Sequence, residues 1–167
     1  MEIFFYLFAV YIIFSFFLSR FFVPHLSFWQ SPVPETIPRE MEETIEKLKT
    51  QSSSPKEFLE LSFNYLGKKY HSERLATILK FSYLFKNLEN VWVTNGFIPC
   101  TQSNFLLRIF LVKSGFFRED DIRRRHVFVN FVPHQYLQVK LDDKWLDVDV
   151  GEKHRGMPIG KHLKYFG

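Results

Sequence analysis

Hydrophobic positions fall into three regimes along the chain. From Ile3 to Leu18 only Ser15 is polar, and Phe21, Phe22 and Val23 carry the apolar run past Arg20. Roughly 20 helical residues cross a bilayer core, so residues 1–23 are expected to form a single transmembrane helix with Arg20 reaching toward the headgroups. A cleaved signal peptide fits less well, because no basic residue precedes the run and no pair of small residues marks a cleavage site. A soluble helix apolar on every face would need more protein around it than this chain offers. Lys and Arg lie only on the C-terminal side of the run, which favours a cytoplasmic domain.

The second regime is helical. Pro24, Pro32, Pro34 and Pro38 first mark residues 24–38 as an extended linker, and residues 39–167 form the expected domain. Met41, Ile45 and Leu48 follow at helical spacing among Glu and Lys. Ser54-Pro55-Lys56-Glu57 then supplies an N-cap, a proline at the first helical position and a capping glutamate. Phe58, Leu59, Leu61, Phe63, Tyr65 and Leu66 extend that helix to Gly67. A further helix is expected from Ser72 to about Leu88. After the short apolar run Val91-Trp92-Val93 and a turn at Thr94-Asn95-Gly96, the segment from Cys100 to Gly115 is apolar on most faces, which predicts a buried central helix ended by glycine.

The third regime alternates with period two. Arg118 to Arg125 reads as a charged connector. His126–Val132, His134–Leu141 and Lys144–Val150 read as three strands, with Pro133 interrupting the first two. A two-residue turn at Asp142-Asp143 makes positions whose numbers sum to 285 face each other. Leu137, Val139 and Leu141 then share a face with Leu146, Val148 and Val150. The opposite face carries His134, Tyr136 and Gln138 with Trp145, Asp147 and Asp149. A three-residue loop would send Asp149 to the other face, so the juxtaposition rests on register.

Charge and cysteine content narrow the chemistry. The net charge of +4 is compatible with acidic surfaces or anionic lipid and does not identify a nucleic-acid partner. Cys100 is the only cysteine, which excludes an internal disulfide framework and a cysteine-based zinc cage. Alone on an apolar stretch, such a thiol is ordinarily an inert core residue. Pro99 makes Cys100 the entry to its helix, where unpaired amide groups and the helix dipole stabilise a thiolate. His134 and Asp149 follow in the order needed for a nucleophile, a general base and a group that orients the base. Asp147 is a rival orienter on the same face. The backbone N–H of Cys100 is the natural oxyanion donor, with Trp92, Asn95 and Gln102 as further candidates.

At this point the sequence resembles the transglutaminase-like superfamily over roughly residues 75–150. The resemblance rests on Cys100, the helix FLLRIFLVKSGF, His134 with an aromatic at Tyr136, and the WLDVD segment with Trp145 four residues before Asp149. It implies an α+β, papain-like core in which a buried nucleophile helix packs on a small antiparallel sheet. It implies catalytic Cys100, His134 and Asp149, acyl transfer through a thioester on a peptide or protein substrate, and no metal or organic cofactor. Hydrolysis is expected over crosslinking, because nothing in so short a chain suggests a domain to position a second, amine substrate. The alternative is a catalytically silent, membrane-tethered binding module of the same fold.

Other features read blandly. Arg123-Arg124-Arg125 is expected to be a solvated loop, and no nucleic-acid partner is expected, since aromatic and basic residues do not interleave. His71 falls between helices. His154 and His162 belong to a basic C-terminal stretch that offers no complete metal ligand set.

Overall fold

The computed structural model describes residues 2–13, 30, 32–73, 76–77, 80–129 and 132–164. It divides into two units, Met1–Ser31 and Pro32–Gly167. In the first, helix α1 spans Glu2–Ile13, with Ile3, Phe4, Tyr6 and their neighbours exposed. Among the described residues no helix is long and apolar enough to cross a membrane. The rest of the expected span, residues 14–23, and the first part of the linker, residues 24–29, lie outside the described residues.

The second unit is α+β. Helix α2, Arg39–Thr50, buries Met41, Ile45 and Leu48 and leaves its Glu and Lys outside, as the periodicity predicts. Helix α3, Pro55–Lys69, starts at Ser54, whose hydroxyl accepts from the Glu57 N–H. The returning half of the cap differs from expectation: the Glu57 carboxylate accepts from the backbone and hydroxyl of Ser53, not from Ser54. Gly67 does not end α3 either. A Cβ there would lie 2.3 Å from Lys153 Cγ, so this glycine permits a close approach inside the helix.

Between Ser72 and Leu88 the expected continuous helix is not what forms in the described parts. A turn of helix is recorded in Thr77 N–H to Glu73 and Lys80 N–H to Ala76. A 3₁₀ segment then covers Phe81–Phe85, while Arg74, Leu75, Ile78 and Leu79 lie outside the described residues. Asn87 accepts from the Asn90 N–H and starts helix α4, Leu88–Val93, so the Val-Trp-Val run is helical. Short strands β1, Tyr70–His71, and β2, Gly96–Phe97, pair in parallel.

Helix α5, Cys100–Lys113, lies at the centre. Leu106, Leu107, Ile109, Phe110 and Leu111 are fully buried, and so are the polar Gln102, Ser103, Asn104 and Arg108. Gly115, at φ 79°, turns the chain out of it. Strands β3, Ile122–Val129, β4, Val132–Leu141, and β5, Lys144–Val148, form an antiparallel sheet in that order. Asp142 and Asp143 have φ 48° and 62°, the geometry of a two-residue type I′ turn. Leu137 faces Val148 and Val139 faces Leu146, so the sum-of-285 register holds. The ladder stops there, one step short of Tyr136 and Asp149.

Three strand boundaries are corrected. Arg123–Arg125 are part of β3, because buried Ile122 anchors the strand opposite Val139 and lets Arg123 and Arg125 point outward from a sheet edge. Pro133 sits inside β4, where β5 no longer pairs with it, so its missing N–H breaks no ladder. The expected end of β5 at Val150 also moves, since Val150–Arg155 form a 3₁₀ segment.

Candidate active site

The site gathers at one end of α5. Pro99, at φ −57° and ψ 148°, enters the helix, and Cys100 is its first residue and half-buried. The first turn is fixed by Ser103, whose N–H donates to the Pro99 carbonyl and whose hydroxyl donates to that of Cys100. His134 projects from the β4 end that extends beyond β5. Asp149 follows β5 immediately. His134 Nε2 and Asp149 Oδ2 are 2.7 Å apart, and their side chains are 1% and 0% exposed. Cys100 is the second group that acts on the His134 ring. The structure thus brings Cys100, His134 and Asp149 together in one chain of contacts.

The electrostatics follow from that chain. Burial is the largest single influence on His134 and opposes its charged form. Hydrogen bonds to Asp149 and Cys100, with the charges of both, outweigh it and push the imidazole up to about 10. The charged form of the His134 ring is therefore favoured relative to a free imidazole.

Asp147, the rival orienter, is engaged elsewhere. Its Oδ1 accepts from Gln138 Nε2 at 2.9 Å, across the register pair, and its Oδ2 lies 2.8 Å from His162 Nδ1. The His162 ring stacks on Tyr136 with centroids 4.1 Å apart.

Three supports are absent from the sequence reading. The Leu163 N–H donates to Asp149 Oδ2 at 3.1 Å, so the carboxylate oxygen that holds His134 is itself held by the backbone near the C-terminus. The same segment is tied down by Gly160 N–H to the Asp147 carbonyl and by a bridge between Val148 and Lys161. Asn104, one turn below Cys100, donates to the Gln135 carbonyl at 2.6 Å and sews the nucleophile's helix to the base's strand. Gly151 packs so closely that a Cβ would lie 2.6 Å from Ser72 Oγ and 3.2 Å from Ser103 Oγ. A backbone amide has no side-chain signature. Asn104, a buried polar residue on an otherwise apolar helix, was the one readable signal.

Among the oxyanion candidates, the Cys100 amide is one of the first four of its helix and has no intrahelical acceptor. Gln102 has given its amide to the Tyr83 carbonyl. Trp92 is in the core, its ring 5.9 Å from Phe110 and 6.3 Å from Tyr65. Asn95 is exposed. Among the described residues no group of three or more His, Cys, Asp or Glu side chains converges as metal ligands.

A thiol at a helix N-terminus, hydrogen-bonded to a buried imidazolium that is fixed by a carboxylate, can attack a carbonyl carbon and return a proton to the leaving group. No protein-family model, curated protein or solved structure matches this chain.

Proposed function

We propose that the chain is a transglutaminase-like cysteine enzyme of papain-like core, held at a membrane by its N-terminal hydrophobic segment. The observation that carries this reading is the 2.7 Å bond between buried His134 and Asp149, with Cys100 at the N-terminus of the central helix as the other group that stabilises the charged ring. Burial alone would favour neutral His134. The cost of keeping it charged is offset by two partners aligned as an acyl-transfer site needs them.

In the first half-reaction the Cys100 thiolate adds to the carbonyl carbon of a peptide or carboxamide. The C–N bond then breaks, His134 gives its proton to the departing amine, and an acyl thioester remains. In the second, neutral His134 takes a proton from water as the water's oxygen attacks the thioester, and Cys100 leaves as thiolate beside the restored imidazolium. Asp149 keeps the ring in one tautomer throughout. The Cys100 amide faces the developing oxyanion.

The test is alkylation of the full-length chain, in which Cys100 is the sole thiol. Iodoacetamide at pH 6 is expected to label it at least about tenfold faster than His134→Ala or a free cysteine peptide. Equal slow rates would overturn the reading.

A further inference from the structure

The charges around the site are lopsided. Between Glu73 and Glu119 the sequence holds one acidic residue, Glu89, and between Asp121 and Asp142 it holds none. The first stretch contains Cys100 and the second contains His134. The aspartates that do reach the site, Asp147 and Asp149, each face an imidazole. Glu73 lies 3.7 Å from His71.

Two ammonium groups rest on an aromatic ledge built by residues that precede the nucleophile's helix. Lys86 Nζ stands 3.7 Å from the Tyr83 ring centroid. Lys80 Nζ stands 5.4 Å from that of Phe97 and 5.8 Å from that of Tyr83. Tyr83 and Phe97 pack on each other at 5.5 Å. The ledge is joined to the site twice: Phe97 precedes Cys100 by three residues, and the Tyr83 carbonyl accepts the Gln102 amide. In the sheet, Arg123 and Arg125 oppose Gln138 and Tyr136, which puts them on the sheet face of His134. Arg123 lies over Trp145 at 3.9 Å, and Arg125 donates to Gln138. Lys86 gives one N–H to Thr94 Oγ1 at 3.1 Å, and a lysine resting on an aromatic face keeps its charge and its remaining N–H groups for a ligand.

We infer that the site takes an acidic peptide, one that presents a carboxylate beside the scissile amide to Lys80 and Lys86. This rests on the thioester reading of Cys100 and names the substrate class for it. Rings and ammonium groups held in place recognise a nearby carboxylate with little ordering cost.

The test alkylates the full-length chain with two peptidyl chloromethyl ketones that differ only in glutamate or glutamine beside the reactive carbon. Iodoacetamide serves as the uncharged control. At 20 mM salt the glutamate reagent is expected to react about three to ten times faster than its glutamine partner. That ratio should shrink toward one in 0.5 M NaCl and in Lys80→Gln/Lys86→Gln. Fast iodoacetamide labelling with equal peptide rates would overturn the substrate class alone. A preference that persists unchanged in the double variant would overturn the role of the lysines. Iodoacetamide labelling no faster than that of a free cysteine peptide would overturn the thioester reading and the inference with it.

Discussion

Asp147 and Asp149 stand two residues apart, and each holds an imidazole at nearly the same distance, 2.8 Å to His162 and 2.7 Å to His134. The outer pair is partly open to solvent, its carboxylate sharing itself with Gln138 and its ring lying flat on Tyr136. The inner pair is sealed from water and ends at a thiol. Bond length therefore says little about what a carboxylate–imidazole pair does. Water around the outer pair screens its charge and supplies alternative partners, whereas among the described residues the inner pair shares its load with Cys100 and the Leu163 amide. One pair clamps the C-terminal segment, and the other is the pair that the proposed chemistry uses.

The sharpest way to break this contrast is to remove one member of each pair. Asp149→Ala should leave a buried, uncompensated imidazole and cost about 3–5 kcal/mol of stability in urea denaturation. Asp147→Ala, in the solvent-washed pair, should cost about 1 kcal/mol or less. Equal losses would abolish the distinction. On activity the ordering is the same: Asp149→Asn should slow Cys100 alkylation at pH 6 by about tenfold or more, and Asp147→Asn by no more than about twofold.

The clamp comes next in size. Leu163→Pro deletes the N–H that holds Asp149 Oδ2 and should cost about 1–3 kcal/mol, with slower alkylation. Leu163→Ala keeps the amide, so it should lose packing energy while alkylating at close to the unmodified rate. If both variants alkylate alike, the C-terminal segment is only packing. Asn104→Leu should cost about 1–2 kcal/mol by leaving the Gln135 carbonyl unpaired, and differential scanning calorimetry would read it.

The last test is a slope with pH. His134 is raised in the folded chain above its unfolded value of about 6.5. Its pairing therefore contributes stability that is fully present below about pH 6.5 and is lost as pH rises through about 10. The stability gap between the unmodified chain and His134→Gln should narrow over that window, and a gap that widens would contradict the sign.

Much of this site was legible because β-hairpins are rigid rulers. The alternation of Leu137, Val139 and Leu141 against Leu146 and Val148 left one turn length that buries both sets, and that turn delivered Asp149 toward His134. Between Asp147 and Asp149, which parity puts on one face, the register favours Asp149 by one step. What separates them further is where β5 ends and what covers it: a backbone amide from Leu163 and a ring from His162, supplied by a segment that reads only as basic. The start of β3 was hidden for another reason. Three consecutive arginines look like a solvated loop, but an edge strand tolerates and even uses such charge once a single buried residue, Ile122, fixes its register. Val91-Trp92-Val93 became helical against the strand preference of valine because Asn87 caps the turn and Trp92 inserts into the core.

The most direct test of the central claim is the NMR titration of the His134 imidazole in the full-length chain and in Cys100→Ala. If the thiol, imidazole and carboxylate act as one unit, His134 titrates near pH 10 in the former and at clearly lower pH in the latter. A midpoint near 6.5 in both proteins would mean that Cys100 and Asp149 do not hold the charged ring, and the three residues would then be neighbours without being a catalytic site.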